Sequence, residues 1–127
     1  MIILDTHIWI WWVTNSHSLK KEFRSRIEKE ESAINIISCW EVAKAVEKGK
    51  LQFNISVEQW LKEAIDDYGI TVIPLDIPII VESTHLPGKF HKDPADQLIV
   101  ATARVHDIQL LTADEKIMKY PFVKLLK

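Results

Sequence analysis

Ile2-Ile3-Leu4 is an unbroken apolar run stopped at once by Asp5. That is the pattern of a short parallel strand buried on both faces. A sheet built from such strands has to be covered on each side, so the chain needs helices between its strands. The sequence supplies them. His7 to Thr14 is apolar and aromatic, a short helix. Leu19 to Glu31 carries Leu19, Phe23 and Ile27 at four-residue spacing between charges, an amphipathic helix. Ala33 to Ile37 reads as the second strand. Ser38-x-x-Glu41 has the spacing of a capping box and opens a helix to about Lys48, with Gly49 after it.

Val57, Trp60, Leu61, Ala64 and Ile65 form the next helical stripe, capped by Ser56 and ended near Gly69. Ile70 to Pro74 is strand-like. Asp76 to Leu86 is helical, with Pro78 early enough to be tolerated, and Leu86-Pro87-Gly88 breaks the chain. Asp93-Pro94-Ala95-Asp96 places a cap, a proline and an acid at the start of a helix that runs to about His106. Ile108 to Leu111 is a strand, Thr112 to Lys119 a short helix and Phe122 to Leu126 a final strand. The expectation is an α/β fold of three layers: a central parallel sheet of four to five strands with helices on both faces. The 127 residues read as one domain, 1–127.

Composition excludes several classes. The single Cys39 allows neither an internal disulfide nor a cysteine-based zinc site, and a lone thiol suits the cytoplasm. The start Met-Ile-Ile-Leu-Asp lacks the basic segment of a signal peptide. Ile8 to Val13 is too short to span a bilayer. A net charge of −2 leaves no basic tail to carry nucleic-acid affinity.

Four acids fall where an open parallel sheet binds ligands, outside the carboxyl ends of its strands. Asp5 follows the first strand and Glu41 lies just after the second. Asp96 opens the helix leading into the strand 108–111, and Asp114 follows that strand. Each has a plain reading as a helix cap or first-turn acid. Together they imply more. Carboxylates gathered in one crevice repel each other and resist burial, so cations must neutralise them. Oxygen ligands point to Mg²⁺ or Mn²⁺ rather than zinc. Carboxylate-held metal ions activate water for in-line displacement at phosphorus. With those four acids offset, −2 becomes +2 for the rest of the surface, and a phosphodiester is not repelled.

The stretches Ile3-Leu4-Asp5-Thr6, Ser38-x-x-Glu41, His91-Lys92-Asp93-Pro94-Ala95-Asp96 running into Leu98 to Ala103, and Leu111-Thr112-Ala113-Asp114 resemble, in this order, the PIN-domain ribonucleases. Within that family they look like the VapC-type toxins of toxin–antitoxin pairs. The resemblance implies a PIN-like, Rossmann-like fold and a metal-dependent endoribonuclease that hydrolyses RNA by metal-activated water, leaving a 5′-phosphate. It implies a homodimer that offers a hydrophobic groove to an antitoxin helix. Carried over residue by residue, Asp5, Glu41, Asp96 and Asp114 are the metal ligands and catalytic acids. Thr6 and Thr112 support them, and Asp93 is either a supporting acid or the helix cap. His91 and Lys92 are candidate substrate contacts. The chain departs from the pattern at Gln97, where a basic residue is common, and at Lys92, where arginine is common.

Other features read more plainly. Trp9 and Trp12 lie three apart and suit a core, although an exposed part of Ile8 to Val13 would suit a partner. None of the five histidines has the spacing of a two-histidine metal site. Lys44, Lys48 and Lys50 read as a solvated face rather than an RNA approach. Two rivals remain: a PIN-like module without catalysis that works through partners, and a receiver-type or phosphatase-type domain. The second wants paired acids by the first strand, where only Asp5 stands.

Overall fold

The computed structural model describes residues 1–127. Its elements, in chain order, are β1 (Ile2–Leu4), α1 (Thr6–Val13), α2 (Lys21–Lys29), β2 (Ser32–Asn35), α3 (Ile37–Glu47), α4 (Val57–Asp66), β3 (Thr71–Ile73), α5 (Ile77–Ser83), α6 (Pro94–His106), β4 (Gln109–Leu111) and α7 (Glu115–Met118). The four strands lie in the order β3-β2-β1-β4 and every pairing is parallel. Ile3 sits opposite Ala33 on one side and Leu110 on the other. β1 is therefore a central strand, and its three residues are completely buried, as the opening apolar run requires.

Side chains alternate across a strand, and two cores result. Ile2, Leu4, Ile34 and Leu111 point to one face and meet Ile8, Trp9, Ile27, Trp60 and Ala64 from the helices α1, α2 and α4. Ile3 and Leu110 point to the other and meet Ile99, Val100 and Ala103 of α6 and Ile117 of α7. Ala33 and Ile73 share that second face with Ile79 of α5 and Ala101 of α6. The three layers are those expected. No helix is long and apolar enough to cross a membrane.

The tryptophans divide by position. Trp9 is fully buried and its Nε1 donates to the Ala64 carbonyl at 3.2 Å, satisfying the one polar group that burial would leave unpaired. Trp60 packs between it and Phe53, at centroid distances of 5.5 and 4.4 Å. Trp11 and Trp12 are half-buried. The exposed member is Trp40, on α3.

Two local expectations are corrected. The second strand ends at Asn35, not Ile37, and α3 begins at Ile37 without a capping box. Asn35 causes this. Fully buried, it donates from Nδ2 to Thr102 Oγ1 at 2.9 Å and accepts from the Ile37 amide at Oδ1, also 2.9 Å. The side chain turns the backbone out of the sheet, and Ser38 is already inside the helix. The segment after α7, read as a final strand, contributes only a bridge between Leu110 and Leu125. The Leu110 amide donates to Lys124 O and its carbonyl accepts from Leu126 N, and pairing extends no further. The sheet thus has the lower of the two strand counts expected.

Candidate metal centre

Each of the four acids sits where a strand gives way to a helix or within the first turns of one. Asp5 is the cap of α1 and Asp114 the cap of α7. Asp96 lies in the first turn of α6, and Glu41 lies one turn into α3. The parallel sheet brings these helix starts to its carboxyl edge, so residues separated by most of the chain become neighbours.

Hydroxyl groups fix the carboxylates. Asp5 is buried; its Oδ1 accepts from the Thr6 amide at 2.8 Å and its Oδ2 from Thr112 Oγ1 at 2.6 Å. Thr112 Oγ1 in turn accepts from the Asp114 amide at 3.0 Å. The Thr6 hydroxyl donates to Glu41 Oε1 and lies 2.8 Å from Ser38 Oγ. Asp114 Oδ1 accepts from the amides of Lys116 and Ile117. Asp93 caps α6 through Oδ1, which accepts from the Asp96 amide at 3.0 Å.

Two sets of donor atoms, each within 4.8 Å, result: Glu41, Asp93 and Asp96, and His91, Asp96 and Asp114. Asp96 belongs to both. Asp5 joins neither; both its oxygens are held by this chain's own groups, although a carboxylate oxygen keeps a second lone pair. Lys92 is exposed and lies in neither set.

The electrostatics match a crowded site. Burial raises the Asp96 carboxyl most, and the charges of Asp5, Asp93, Asp114 and Glu41 add to it, pushing it up to about 8. Burial also raises Asp5, against the hydrogen bonds from Thr112 and Thr6. Glu41 is raised by burial first and then by Asp5 and Asp93. His91 Nε2 is buried at the same place without a hydrogen-bond partner. Crowded carboxylates of which Asp96 holds its proton near neutrality, with an unsatisfied nitrogen beside them, fit a divalent cation: bound charge would discharge Asp96 and occupy the orphaned atom.

Beside this centre a cavity of about 830 Å³ opens between α1 and α3. Thr6, Glu41 and Asp93 are among the residues that line it. Ile10, Trp11, Trp40 and Leu51 form apolar walls, and Lys44, Lys48 and Lys50 line it as well. Those lysines, read from sequence as a plain solvated face, therefore share a cavity with Glu41. Trp40, next to Glu41, was not singled out by sequence reasoning, because its exposure depends on where α3 packs. Ser38 and Asn35 were likewise not recognised as site-shaping polar groups. A buried polar residue at a strand's end is the signal that would have found Asn35.

Comparison with known proteins agrees with this fold. The PIN-domain family profile matches residues 2–123. Ribonuclease VapC22 of Mycobacterium tuberculosis is 30% identical over 120 residues, covering 94% of this chain and 91% of that protein. The DNA-bound VapBC structure from Salmonella typhimurium superposes with a TM-score of 0.73 at 17% identity, over 98% of this chain and 96% of that one. A toxin–antitoxin complex from Klebsiella pneumoniae gives 0.69 at 21% identity, over 100% and 97%. The structural likenesses are of fold. The profile spans nearly the whole chain, and on that ground, with the sequence relative beside it, the chain belongs to the PIN-domain family, in its VapC-type branch.

Proposed function

We propose that this chain, as one domain over residues 1–127, is a divalent-metal-dependent endoribonuclease and the toxin of a toxin–antitoxin pair acting in the cytoplasm. The observation that carries the reading is Asp96, a carboxylate shared by two donor sets and pushed up to about 8 by burial and then by its acidic neighbours. The likeness to Ribonuclease VapC22 supports the substrate class.

Asp5, Glu41, Asp96 and Asp114 would hold Mg²⁺ or Mn²⁺. Held there, such an ion would supply acidification of water and positive charge against the phosphodiester. The chain's own groups do the rest. Thr112 and the Thr6 amide lock the Asp5 carboxylate, and the Thr6 hydroxyl holds Glu41, so the site is organised before substrate arrives. Lys44, Lys48 and Lys50 offer charge to the RNA backbone along the cavity. Single-stranded RNA incubated with the protein and Mn²⁺ should be cut to products with a 5′-phosphate and a 3′-hydroxyl, and excess EDTA should stop the reaction. Products ending in a 2′,3′-cyclic phosphate would refute hydrolysis by activated water. Absence of cleavage with Mn²⁺ bound would leave the silent-module reading.

The same cavity suits the antitoxin. Trp40 is 54% exposed on α3, and Trp11, Ile10 and Leu51 extend the apolar surface, a groove fit for the apolar face of a partner helix. The exposed Ile77, Ile80 and Val81 of α5 offer a face to a second copy of the chain. Co-expression with the antitoxin should yield a complex containing two copies of this chain by light scattering, and Trp40→Asp should weaken antitoxin capture at least about tenfold. Unchanged capture by the variant would remove the groove from the interface.

A further inference from the structure

His91 belongs to the metal centre, and the proposed chemistry has not used it. Its Nε2 is buried and has no hydrogen-bond partner, yet Asp96 Oδ2 lies only 3.0 Å away. The distance is that of a hydrogen bond, so direction must be what fails: the oxygen lies off the axis along which the ring nitrogen projects. Two donor atoms side by side, neither aimed at the other, are how adjacent ligands stand on one cation. Bonds of roughly 2.1 Å at right angles put neighbouring donors about 3.0 Å apart. Asp114 completes the set within 4.8 Å.

The ring is held in that position by contacts that owe nothing to a metal. Gln97 Nε2 donates to the His91 carbonyl at 3.0 Å. The Phe90 ring lies 4.5 Å from the imidazole and 4.8 Å from Tyr120. Tyr120 is buried against α6 and its hydroxyl donates to the Pro87 carbonyl. The segment from Pro87 to His91 is therefore clamped at three points, and its histidine is aimed at the acids rather than at solvent. Gln97 makes this clamp at the position where the sequence departs from the basic residue common in similar proteins.

We propose that His91 is a nitrogen ligand of the metal centre, bound beside Asp96 and Asp114, and that it biases the centre toward Mn²⁺ over Mg²⁺. The assignment rests on the carboxylate metal centre proposed above. Imidazole is a good ligand for transition metals, whereas Mg²⁺ takes oxygen and gives up its waters reluctantly. An otherwise oxygen-only site gains discrimination from one nitrogen.

The test is spectroscopic and needs no turnover. One equivalent of Mn²⁺ is added to the metal-free protein, and pulsed electron paramagnetic resonance reads whether nitrogen is bonded to the manganese. The wild type should show the nitrogen modulation of a bound imidazole. His91→Ala should lose it, and His7→Ala, which alters the other histidine near the acids, should keep it. Calorimetry on the same samples should show Mn²⁺ affinity falling about tenfold in His91→Ala and Mg²⁺ affinity falling less than threefold. His91→Asn serves if the alanine variant loses its circular-dichroism spectrum. Manganese bound to the wild type without nitrogen modulation overturns the His91 assignment and leaves the carboxylate centre standing. No manganese binding at all overturns the carboxylate centre, and the histidine assignment with it.

Discussion

Replacing Asp96 by asparagine should lower RNA cleavage by about 10³-fold or more at saturating Mn²⁺. The substitution is nearly isosteric and leaves the backbone amide that Asp93 caps. It removes the one carboxylate common to both donor sets. A residue that served only as a first-turn acid would cost a few tenths of a kcal/mol in helix stability and nothing in rate. The two accounts differ by three orders of magnitude, so a kcat/KM within threefold of the wild type would sink the assignment. The measurement is the initial rate on a labelled single-stranded RNA, with folding checked by circular dichroism.

The same substitution should have the opposite effect on stability. Asp96 has an ordinary carboxyl in the unfolded chain, near 3.8, and a carboxyl pushed up to about 8 in the folded one. Between those values the folded state holds a proton that the unfolded state has released. Stability therefore falls as pH rises from about 4 to about 8. Asp5 and Glu41, raised in the same direction by burial, add to the slope. The metal-free wild type should lose roughly 2–3 kcal/mol more than Asp96→Asn between pH 5.5 and pH 8, a difference of about 10 °C in Tm. Mn²⁺ at a hundredfold excess over its Kd should return about 2.7 kcal/mol to the wild type at pH 8. Parallel Tm–pH curves for the two proteins without metal would contradict the charge crowding. Function and stability thus pull against each other at a single side chain.

The parts of the molecule that its sequence disclosed are those decided locally. Asp93 followed by Pro94 starts α6, Ser56 caps α4, and Asp76 caps α5 through the Ile79 amide. Gly49, at a φ of +73°, ends the α3 segment where a left-handed residue is needed. The alternation of short apolar runs with amphipathic stretches gave the layers, and parallel topology placed the acids at one edge. What stayed hidden depends on distant partners. Ser38-x-x-Glu41 looks like a capping box, but Asn35 takes over the turn because Thr102 on α6 anchors it. The strand after Phe122 shrinks to one bridge because only the Leu110 peptide receives it. His91 reads as a candidate substrate contact beside the acids, and only Gln97, Phe90 and Tyr120, met in space, turn it inward. Trp40 looks like any helical aromatic until α1 and α3 leave it at a cavity wall.

The pairing of β1 with β4 joins Ile2–Leu4 to Gln109–Leu111, and Thr112 reaches back to Asp5 across 107 positions. Synthesis delivers these partners at opposite ends of the process. While residues 109–114 are still inside the ribosome, Ile2 to Leu4 lacks a neighbour on one flank and the acids cannot gather. The central strand and the Asp5 carboxylate are therefore completed in one event, late in synthesis, when residues 109–114 emerge.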